Sequence, residues 1–351
     1  MRARASDPID AADIDVADLA ACRAMLRAGS RSFDAAARLL PRSVRDPAIA
    51  LYAFCRVADD AIDGDADPAA ALADLRQRLA LAYAGRPHET AADRALAGVV
   101  SRFAIPRALP EALLEGFAWD ALGRRYDDLP ALRAYAVRVA GTVGGMMAHV
   151  MGVRDPAHVA AAIDLGVAMQ LSNIARDVGE DARAGRLYLP IQWLDDAGID
   201  PAGFLAEPRH TPALGRVIER LLHAAAAHYR RAQPGIARLP VACRFGIGAA
   251  SLLYAEIGRQ VARHGHDSVS TRAVVSGPRK AWVLTSGLAR MTVPAAPLSR
   301  APVPEAAFLL AGLTSRPPPV SAAVQRWNLA RQMRWVIGLF ERLEQRENAQ
   351  P

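Results

Sequence analysis

The sequence is poor in cysteine, aromatic residues and lysine. Its three cysteines lie far apart and form no CxxC pair, which argues against a disulfide framework and against a cysteine-based zinc site. Aromatic residues make up 6% of the chain, and Lys280 is the one lysine among 43 basic residues. Aromatic and basic residues do not alternate in the way that stacks nucleic-acid bases. We therefore expect no nucleic acid partner, although the formal net charge is +7.

Long apolar runs and nucleotide-binding motifs are missing as well. No stretch reaches 18 consecutive apolar residues, so the sequence predicts no transmembrane span. The first 15 residues are polar and lack the apolar segment of a signal peptide. Neither GxGxxG nor a P-loop occurs, which argues against nucleotide hydrolysis. We expect a cytoplasmic protein in a reducing compartment.

The chain does contain strong helical periodicity. Alanine, leucine and arginine favour helices, and apolar residues recur at helical spacing from about residue 17 to residue 290. Short connections with proline or glycine between the helices indicate an all-α fold with a single helical bundle. The predicted helices cover residues 17–28, 44–63, 68–84, 91–103, 110–121, 129–152, 156–181, 211–232, 240–264 and 279–290.

The two ends of the chain differ from this bundle. Residues 1–16 form a polar tail ahead of the helical domain, which covers residues 17–290. Residues 291–320 are rich in proline, which predicts a linker or a surface wrap. Residues 321–351 contain a predicted amphipathic helix over 321–346, either docked on the helical domain or lying on an anionic membrane.

The segment from Tyr52 to Asp63 carries the first group of acidic residues. On a helix, Asp59 and Asp63 lie about 40° apart on one face, with Arg56 one turn earlier. Carboxylates at this spacing repel each other, and the cation that would relieve the repulsion is either a metal ion or Arg56. An acidic helix end in solvent has the same pattern.

A second polar stripe follows an apolar helical segment. Gln170, Asn173, Asp177 and Asp181 fall within an arc of about 80° on a helix. The preceding residues 160–169 are apolar apart from one aspartate, so this helix is expected to be largely buried. Buried carboxylates need partners, which indicates either a structural polar network or a binding site.

Together the two stripes suggest a more specific chemistry. Each has the spacing DxxxD with an arginine within one turn. Oxygen ligands suit Mg²⁺ or Mn²⁺ better than zinc, and Mg²⁺ takes one or two carboxylates and completes its shell with waters and substrate phosphates. Two facing stripes in an apolar bundle would suit a prenyl diphosphate, from which diphosphate leaves as a carbocation forms.

The segment 173–190, NIARDVGEDARAGRLYLP, resembles the second aspartate signature of the squalene/phytoene synthase family. Further segments match that family in the same order, namely SRSF (30–33), YAFCRVADDAID (52–63), VAGTVGGMM (139–147) and the region of Tyr254, Arg272 and Lys280. The resemblance covers about residues 17–290. It implies an all-α, single-domain bundle of the isoprenoid-synthase type with a central cavity.

The resemblance also implies a reaction. In the most similar bacterial members, two geranylgeranyl diphosphates condense head to head (1–1′) through a cyclopropyl diphosphate to phytoene, the first step of carotenoid synthesis. The alternatives are a synthase that uses farnesyl diphosphate and makes a dehydrosqualene or squalene-type product, and a non-catalytic assembly protein of the same fold. The expected cofactors are several Mg²⁺ or Mn²⁺ ions, and no NADPH.

Site residues follow from the same resemblance. The residues expected to bind metal are Asp59, Asp60, Asp63, Asp177 and Asp181. The residues expected to contact diphosphate are Ser30, Ser32, Arg56, Arg176, Arg186, Tyr188, Arg272 and Lys280. The residues expected to take part in catalysis, most of them along the central cavity, are Tyr52, Arg56, Tyr135, Gln170, Asn173 and Tyr254.

Two further expectations concern apolar surfaces. The glycines of VAGTVGGMM would allow close helix approach or a kink, and its methionines would supply adaptable apolar surface. A forty-carbon hydrocarbon product has to leave into lipid, because each of its buried CH₂ groups favours an apolar medium by about 0.8 kcal/mol. We therefore expect peripheral contact with the inner face of the cytoplasmic membrane. The sequence makes no prediction of oligomeric state.

Overall fold

A computed structural model describes residues 14–29, 37–64, 67–288, 301–311 and 313 of the chain. All regular secondary structure in these residues is helical, which confirms the predicted all-α fold. The α-helices are α1 (Val16–Gly29), α2 (Arg42–Gly64), α3 (Pro68–Tyr83), α4 (Ala91–Phe103), α5 (Ala108–Ala121), α6 (Leu129–Ala136), α7 (Thr142–Val150), α8 (Pro156–Arg183), α9 (Ile191–Asp196), α10 (Pro201–Ala206), α11 (Pro212–Ile236), α12 (Val241–Arg263), α13 (Gly277–Leu288) and α14 (Ala307–Leu310). A π-helical turn covers Val137–Gly141, and a 3₁₀ turn covers Pro304–Ala306.

Several helices begin at an Asp-Pro pair. The carboxylates of Asp67, Asp155 and Asp200 each accept hydrogen bonds from backbone N–H groups of the next turn, and a proline follows directly. Such a cap satisfies N–H groups that have no partner inside the helix, and proline at the first position already has a helical φ. The predicted helix starts at residues 68 and 156 are confirmed.

One predicted helix is interrupted. The sequence predicts a single helix over 129–152, whereas the structure has α6, the π-helical turn and α7 in this stretch. A π turn widens the helix without ending it, so the apolar periodicity of the sequence does not reveal it. The short helices α9 and α10 are also absent from the prediction, because six residues are too few to show a period.

Helix α8 lies at the centre of the bundle and packs against α7, α11 and α12. At Gly144 in α7, an added Cβ would lie 2.2 Å from the carbonyl oxygen of Ala162 in α8. The two helices can therefore approach this closely only with glycine at that position, which confirms the close approach expected for VAGTVGGMM. Met146 is fully buried in the core, while Met147 lines a cavity.

Residues 301–311, which we call the C-terminal strap, pack on the bundle. Arg133 of α6 forms an ion pair with Glu305 at 2.8 Å, and Arg231 of α11 donates a hydrogen bond of 2.8 Å to the carbonyl of Ala301. Ala306 and Leu309 of the strap are buried. Part of the proline-rich segment predicted as a linker or wrap is thus held on the surface of the bundle. The helix predicted over 321–346 lies outside the described residues.

Within the described ranges, α12 is the one helix whose length and mean hydropathy of 1.2 would allow it to cross a membrane. Four charged residues interrupt it, namely Arg244, Glu256, Arg259 and Arg263, which is why the sequence has no unbroken apolar run there. Only 28% of its apolar window is buried inside the structure.

Candidate active site

An apolar cavity of about 250 Å³ lies between α7, α8, α11 and α12. Its apolar lining includes Met147, Met151, Leu165, Met169, Ile236 and Leu239. Polar lining residues include Gln170 and Asn173 of α8 and Tyr254 of α12, as the sequence analysis predicts. The cavity therefore combines long apolar walls with polar groups at the level of the second acidic stripe.

The side chain of Asn173 carries an unusual feature. Its carboxamide oxygen is buried and accepts no hydrogen bond from any residue that the structure describes. Buried acceptors are nearly always satisfied, and an orphan of this kind points to a missing water, ion or ligand. Asp177 and Asp181 follow Asn173 at one-turn intervals on the same helix face, so a hard cation with its waters would satisfy all three oxygen groups.

Asp177 is held by two arginines. The guanidinium of Arg176 donates to both of its carboxylate oxygens, at 2.7 and 2.5 Å, and Arg272 Nε donates at 2.8 Å. Burial on its own would raise the pKa of Asp177, but the hydrogen bonds from Arg176 and Arg272 outweigh it and keep the pKa below its usual range. Arg272 also lies 3.2 Å from Glu180.

The position of Arg272 depends on a glycine in the second stripe. An added Cβ at Gly179 would lie 2.6 Å from the Cα of Val269, and the Gly179 N–H donates to the carbonyl of Ser268. The chain after α12 therefore crosses α8 at Gly179 in direct backbone contact. This crossing brings Arg272 onto Asp177, a role for Gly179 that the sequence analysis does not predict.

Asp181 has the opposite electrostatic balance to Asp177. Its pKa is raised to about 7 by burial and by the negative charge of Asp177, with smaller contributions from Glu180 and Asp120, while Arg186 opposes the rise. A carboxyl group in this state gains most from an added cation, because the cation favours its charged form. The second stripe is thus short of positive charge at Asp181.

The first stripe lies on α2 and is more open. Arg56 pairs with Asp60 at 2.6 Å and lies 3.9 Å from Asp59. Arg56, one of the two cations expected for this stripe, is in contact with it. Tyr52 is one turn earlier on α2 and partly buried, and it does not line the cavity as expected. Burial raises its pKa while Arg56 opposes the rise. Asp63 lies in the last turn of α2, and its side chain is outside the described part of the chain.

A residue that the sequence analysis misses, Asp120 of α5, connects the two stripes. The hydroxyls of Tyr135 and Tyr188 donate to its two carboxylate oxygens, at 2.7 and 2.9 Å. Burial raises the pKa of Asp120 to about 6, the tyrosine hydrogen bonds oppose the rise, and the negative charge of Asp59 adds to it. Asp120 in turn raises the pKa of Asp181. Asp59 on α2 and Asp181 on α8 therefore both interact electrostatically with the same carboxylate.

Asp120 had a weak signal in the sequence. It ends the run Gly-Phe-Ala-Trp-Asp over residues 116–120, where a charged residue follows apolar ones near a helix end. A single acid of this kind is usually solvated, so no local pattern distinguishes it. Only the packing of α5 against the π-helical turn and α7 brings it inside the molecule.

Tyr135 does not line the cavity, contrary to the expectation for most of the catalytic group. It is buried beside Tyr188, with ring centroids 5.3 Å apart, and both hydroxyls hold Asp120. Tyr135 precedes the π-helical turn, whose geometry the sequence does not reveal, so its direction could not be predicted. Tyr188, expected at the diphosphate, is found at Asp120.

The remaining predicted residues divide into three cases. Arg186 acts on the charges of both Asp120 and Asp181 and so lies near the acidic groups. Lys280 lies in α13 and forms no ion pair with a residue that the structure describes. Ser30 and Ser32 fall outside the described residues.

The oxygen donors of the site thus suit a divalent cation, although they do not form a complete coordination shell. In the described residues, no group of three or more His, Cys, Asp or Glu side chains is arranged to hold a metal ion. Mg²⁺ does not require such a group, because it usually binds one or two carboxylates and keeps waters and substrate phosphates as its other ligands. The orphan oxygen of Asn173 and the raised pKa of Asp181 are the features that a cation would relieve.

Comparison with known proteins gives one consistent result. The family model described as squalene/phytoene synthase matches residues 26–279. A phytoene synthase of Rhodobacter capsulatus is 53% identical over 302 residues, which cover 84% of this chain and 89% of that protein. A 15-cis-phytoene synthase of a Paracoccus species is 44% identical over 284 residues, covering 78% of this chain and 92% of that protein.

A solved structure extends the comparison to the fold. A dehydrosqualene synthase crystallised with a ligand superposes with a TM-score of 0.72 at 30% identity, over 79% of this chain and 97% of that one. The predicted isoprenoid-synthase-type bundle is therefore confirmed. The two acidic stripes agree with this match. Because the family model covers most of the chain and a relative is 53% identical, this chain belongs to the squalene/phytoene synthase family.

Proposed function

We propose that this enzyme, a prenyltransferase, joins two geranylgeranyl diphosphates head to head to form phytoene, the first hydrocarbon of carotenoid synthesis. The observation that carries the proposal is the apolar cavity that meets the acidic groups of α8 at Asn173. A long prenyl chain fits apolar walls, and its diphosphate fits the charged end. Relatives that are 53% and 44% identical are both named phytoene synthases.

The carboxylates of the two stripes are the proposed metal ligands. Asp59, Asp60 and Asp63 would bind Mg²⁺ or Mn²⁺ from α2, and Asp177 and Asp181 from α8. When bound, these ions would neutralise the diphosphate and make it a better leaving group. Asp120 would act through its two tyrosines and its charge, as a positioning residue between the stripes.

Positively charged side chains supply the proposed diphosphate contacts. Arg176 and Arg272 already hold Asp177, and Arg56 holds Asp60. Guanidinium groups suit phosphate because their N–H groups form paired hydrogen bonds with its oxygens. We expect these arginines to turn from carboxylate to diphosphate when substrate binds. Arg186, Tyr188, Lys280, Ser30 and Ser32 would complete the set.

The reaction needs apolar cavity walls that exclude water, as well as charged groups that bind the diphosphate. Loss of diphosphate from the first substrate leaves an allylic cation, which the double bond of the second substrate attacks, with proton loss, to give a cyclopropyl diphosphate. A second diphosphate leaves, the cation rearranges to the 1–1′ product, and proton loss gives phytoene. Residues such as Met147, Met169 and Ile236 would keep water from the cations. Gln170, Asn173, Tyr254, Tyr52 and Tyr135 would stabilise the charge or accept protons at the polar end.

The test is direct. The purified chain is incubated with geranylgeranyl diphosphate and Mg²⁺ without NADPH, and the organic extract is analysed. A forty-carbon hydrocarbon with phytoene's absorption is expected. No product from any prenyl diphosphate, with or without detergent, would contradict the proposal and favour a non-catalytic assembly protein.

A second candidate substrate is farnesyl diphosphate, and one observation favours it. The solved structure with a TM-score of 0.72 to this chain is that of a dehydrosqualene synthase. The same assay separates the two substrates, because farnesyl diphosphate gives a thirty-carbon product. We place the protein in the cytoplasm, at the periphery of the inner face of the membrane, because its hydrocarbon product partitions into lipid.

A further inference from the structure

A cluster of arginines surrounds a single buried carboxylate on the outer side of the bundle. Glu256 of α12 is completely buried. Arg263 donates to it at 2.8 Å and Arg279 at 2.6 Å, and Arg259 forms a third, shorter ion pair. Burial would raise the pKa of Glu256, but the three arginines together lower it to about 2. Glu256 therefore carries one full negative charge against three positive ones.

The surface of this cluster is strongly positive. The side chains of Arg259, Arg263 and Arg279 are 49%, 43% and 30% exposed. A surface with this charge attracts anions. Its attraction to an anionic bilayer acts over about one Debye length from the membrane surface.

A large apolar side chain lies beside these charges. Trp282 of α13 is 57% exposed. The guanidinium of Arg279 lies 4.2 Å above the ring of Trp282. Tryptophan is enriched where proteins meet the membrane surface, since its ring is apolar and its N–H is polar.

The helix under this surface also lines the cavity. Tyr254 and Ala250 of α12 face the cavity, and α13 packs against α12. Only 28% of the apolar window of α12 is buried. Helix α12 therefore has the cavity on one side and the arginine cluster on the other.

We propose that Trp282, Arg259, Arg263 and Arg279 form a docking surface, the α12–α13 face, that binds an anionic lipid bilayer. The docking proposal rests on the proposed function, because a hydrocarbon product has to pass from the cavity into lipid. An acidic protein would match the charges equally well. The exposed tryptophan and the apolar helix beside the cavity favour lipid.

The test measures binding of the full-length protein to vesicles by co-sedimentation. Phosphatidylcholine vesicles are compared with vesicles that also contain phosphatidylglycerol. We expect binding to the anionic vesicles and little to the neutral ones. Trp282→Ser should weaken the binding about tenfold, and Arg263→Gln about fivefold.

Matched controls come from the same chain. Val16→Ser removes an apolar side chain on α1 that is 83% exposed, and Arg209→Gln removes an exposed arginine paired with Glu207. Neither should change vesicle binding by more than about twofold. Circular dichroism melting of each variant verifies the fold. Equal loss of binding in Trp282→Ser and Val16→Ser would overturn the α12–α13 face.

Turnover of geranylgeranyl diphosphate in detergent separates this proposal from the proposed function. Detergent activity without binding to anionic vesicles would overturn the docking surface alone. Vesicle binding without any hydrocarbon product would overturn the proposed function alone. A dimer in analytical ultracentrifugation that Trp282→Ser abolishes would assign the face to a second copy of the chain and also overturn the lipid proposal.

Discussion

The two acidic stripes are alike in sequence and different in the folded molecule. Asp59 and Asp60 on α2 are 46% and 56% exposed, whereas Asp177 on α8 is 15% exposed. Each stripe has the spacing DxxxD and a nearby arginine. In the first stripe, solvent screens the charges; in the second, burial makes each carboxylate depend on the cation beside it.

Among the carboxylates that are mostly buried, the number of neighbouring arginines decides the direction of the pKa shift. Asp177 touches two arginines and has a lowered pKa. Asp181 touches no arginine closely enough for an ion pair among the described residues, and its pKa is about 7. Glu256, with three arginines, has a pKa of about 2. The number of arginines beside each carboxylate therefore decides whether its pKa lies below or above the usual range.

The largest expected effect comes from breaking the buried stripe. Asp177→Asn should lower turnover by about a thousandfold, because it removes a charge at the place where diphosphate leaves. Helical content by circular dichroism should stay unchanged. The control is Asp195→Asn in α9, an exposed acid outside both stripes, which should keep full activity. Full activity of Asp177→Asn would refute the two-stripe site.

The link between the stripes is the next test. Asp120→Asn keeps the shape of the side chain but removes the charge between Asp59 and Asp181. We expect turnover to fall by about ten- to a hundredfold, as for groups that orient metal ligands. Steady-state kinetics should place most of the loss in kcat. A purely structural role would instead lower the melting temperature and leave the kcat of the folded fraction unchanged.

The deficit of positive charge at Asp181 predicts a pH dependence. A carboxyl with a pKa of about 7 is mostly protonated at pH 6 and mostly ionised at pH 8. Because a metal ligand has to lose its proton, Mg²⁺ should bind about tenfold more tightly at pH 8 than at pH 6. Titration calorimetry at the two pH values measures this. Asp181→Asn should bind Mg²⁺ weakly and without pH dependence, and an unchanged pH dependence in that variant would exclude Asp181 as its source.

The smallest effect is expected for the stability of the exposed stripe. Arg56→Gln breaks pairs in which both partners are half-exposed, so the free energy of unfolding should change by about 0.5 kcal/mol or less. Urea denaturation measures it. Activity should still fall, because Arg56 is a proposed diphosphate contact. A loss of several kcal/mol would mean that the first stripe is buried like the second.

Local features of the site could be predicted from the sequence, and long-range ones could not. The spacing of Asp177 and Asp181 determines their common helix face, since the helical repeat is fixed. The contact of Asp120 with Tyr188 joins residues 68 positions apart, and no periodicity encodes it. The crossing at Gly179 is also long-range. A glycine is required there only because the backbone of Ser268 and Val269 packs against it.

The fold follows the same division. An Asp-Pro pair is a local signal for a helix start. It allows the starts at Pro68 and Pro156 to be predicted to the residue. The π-helical turn after Tyr135 depends on packing between α5, α7 and α8, so the direction of Tyr135 could not be derived. The family resemblance supplied the list of site residues, but it did not supply their contacts.

The C-terminal strap has a consequence for how the chain folds during synthesis. Arg133 and Glu305 are 172 residues apart, and domains are completed in the order in which the ribosome releases them. The bundle therefore cannot make its last contacts until residue 305 has been translated. The family match ends at residue 279, so a fragment cut at that boundary would leave Arg133 of α6 and Arg231 of α11 without their contacts to the strap. The folded unit therefore extends past the end of that match to the strap.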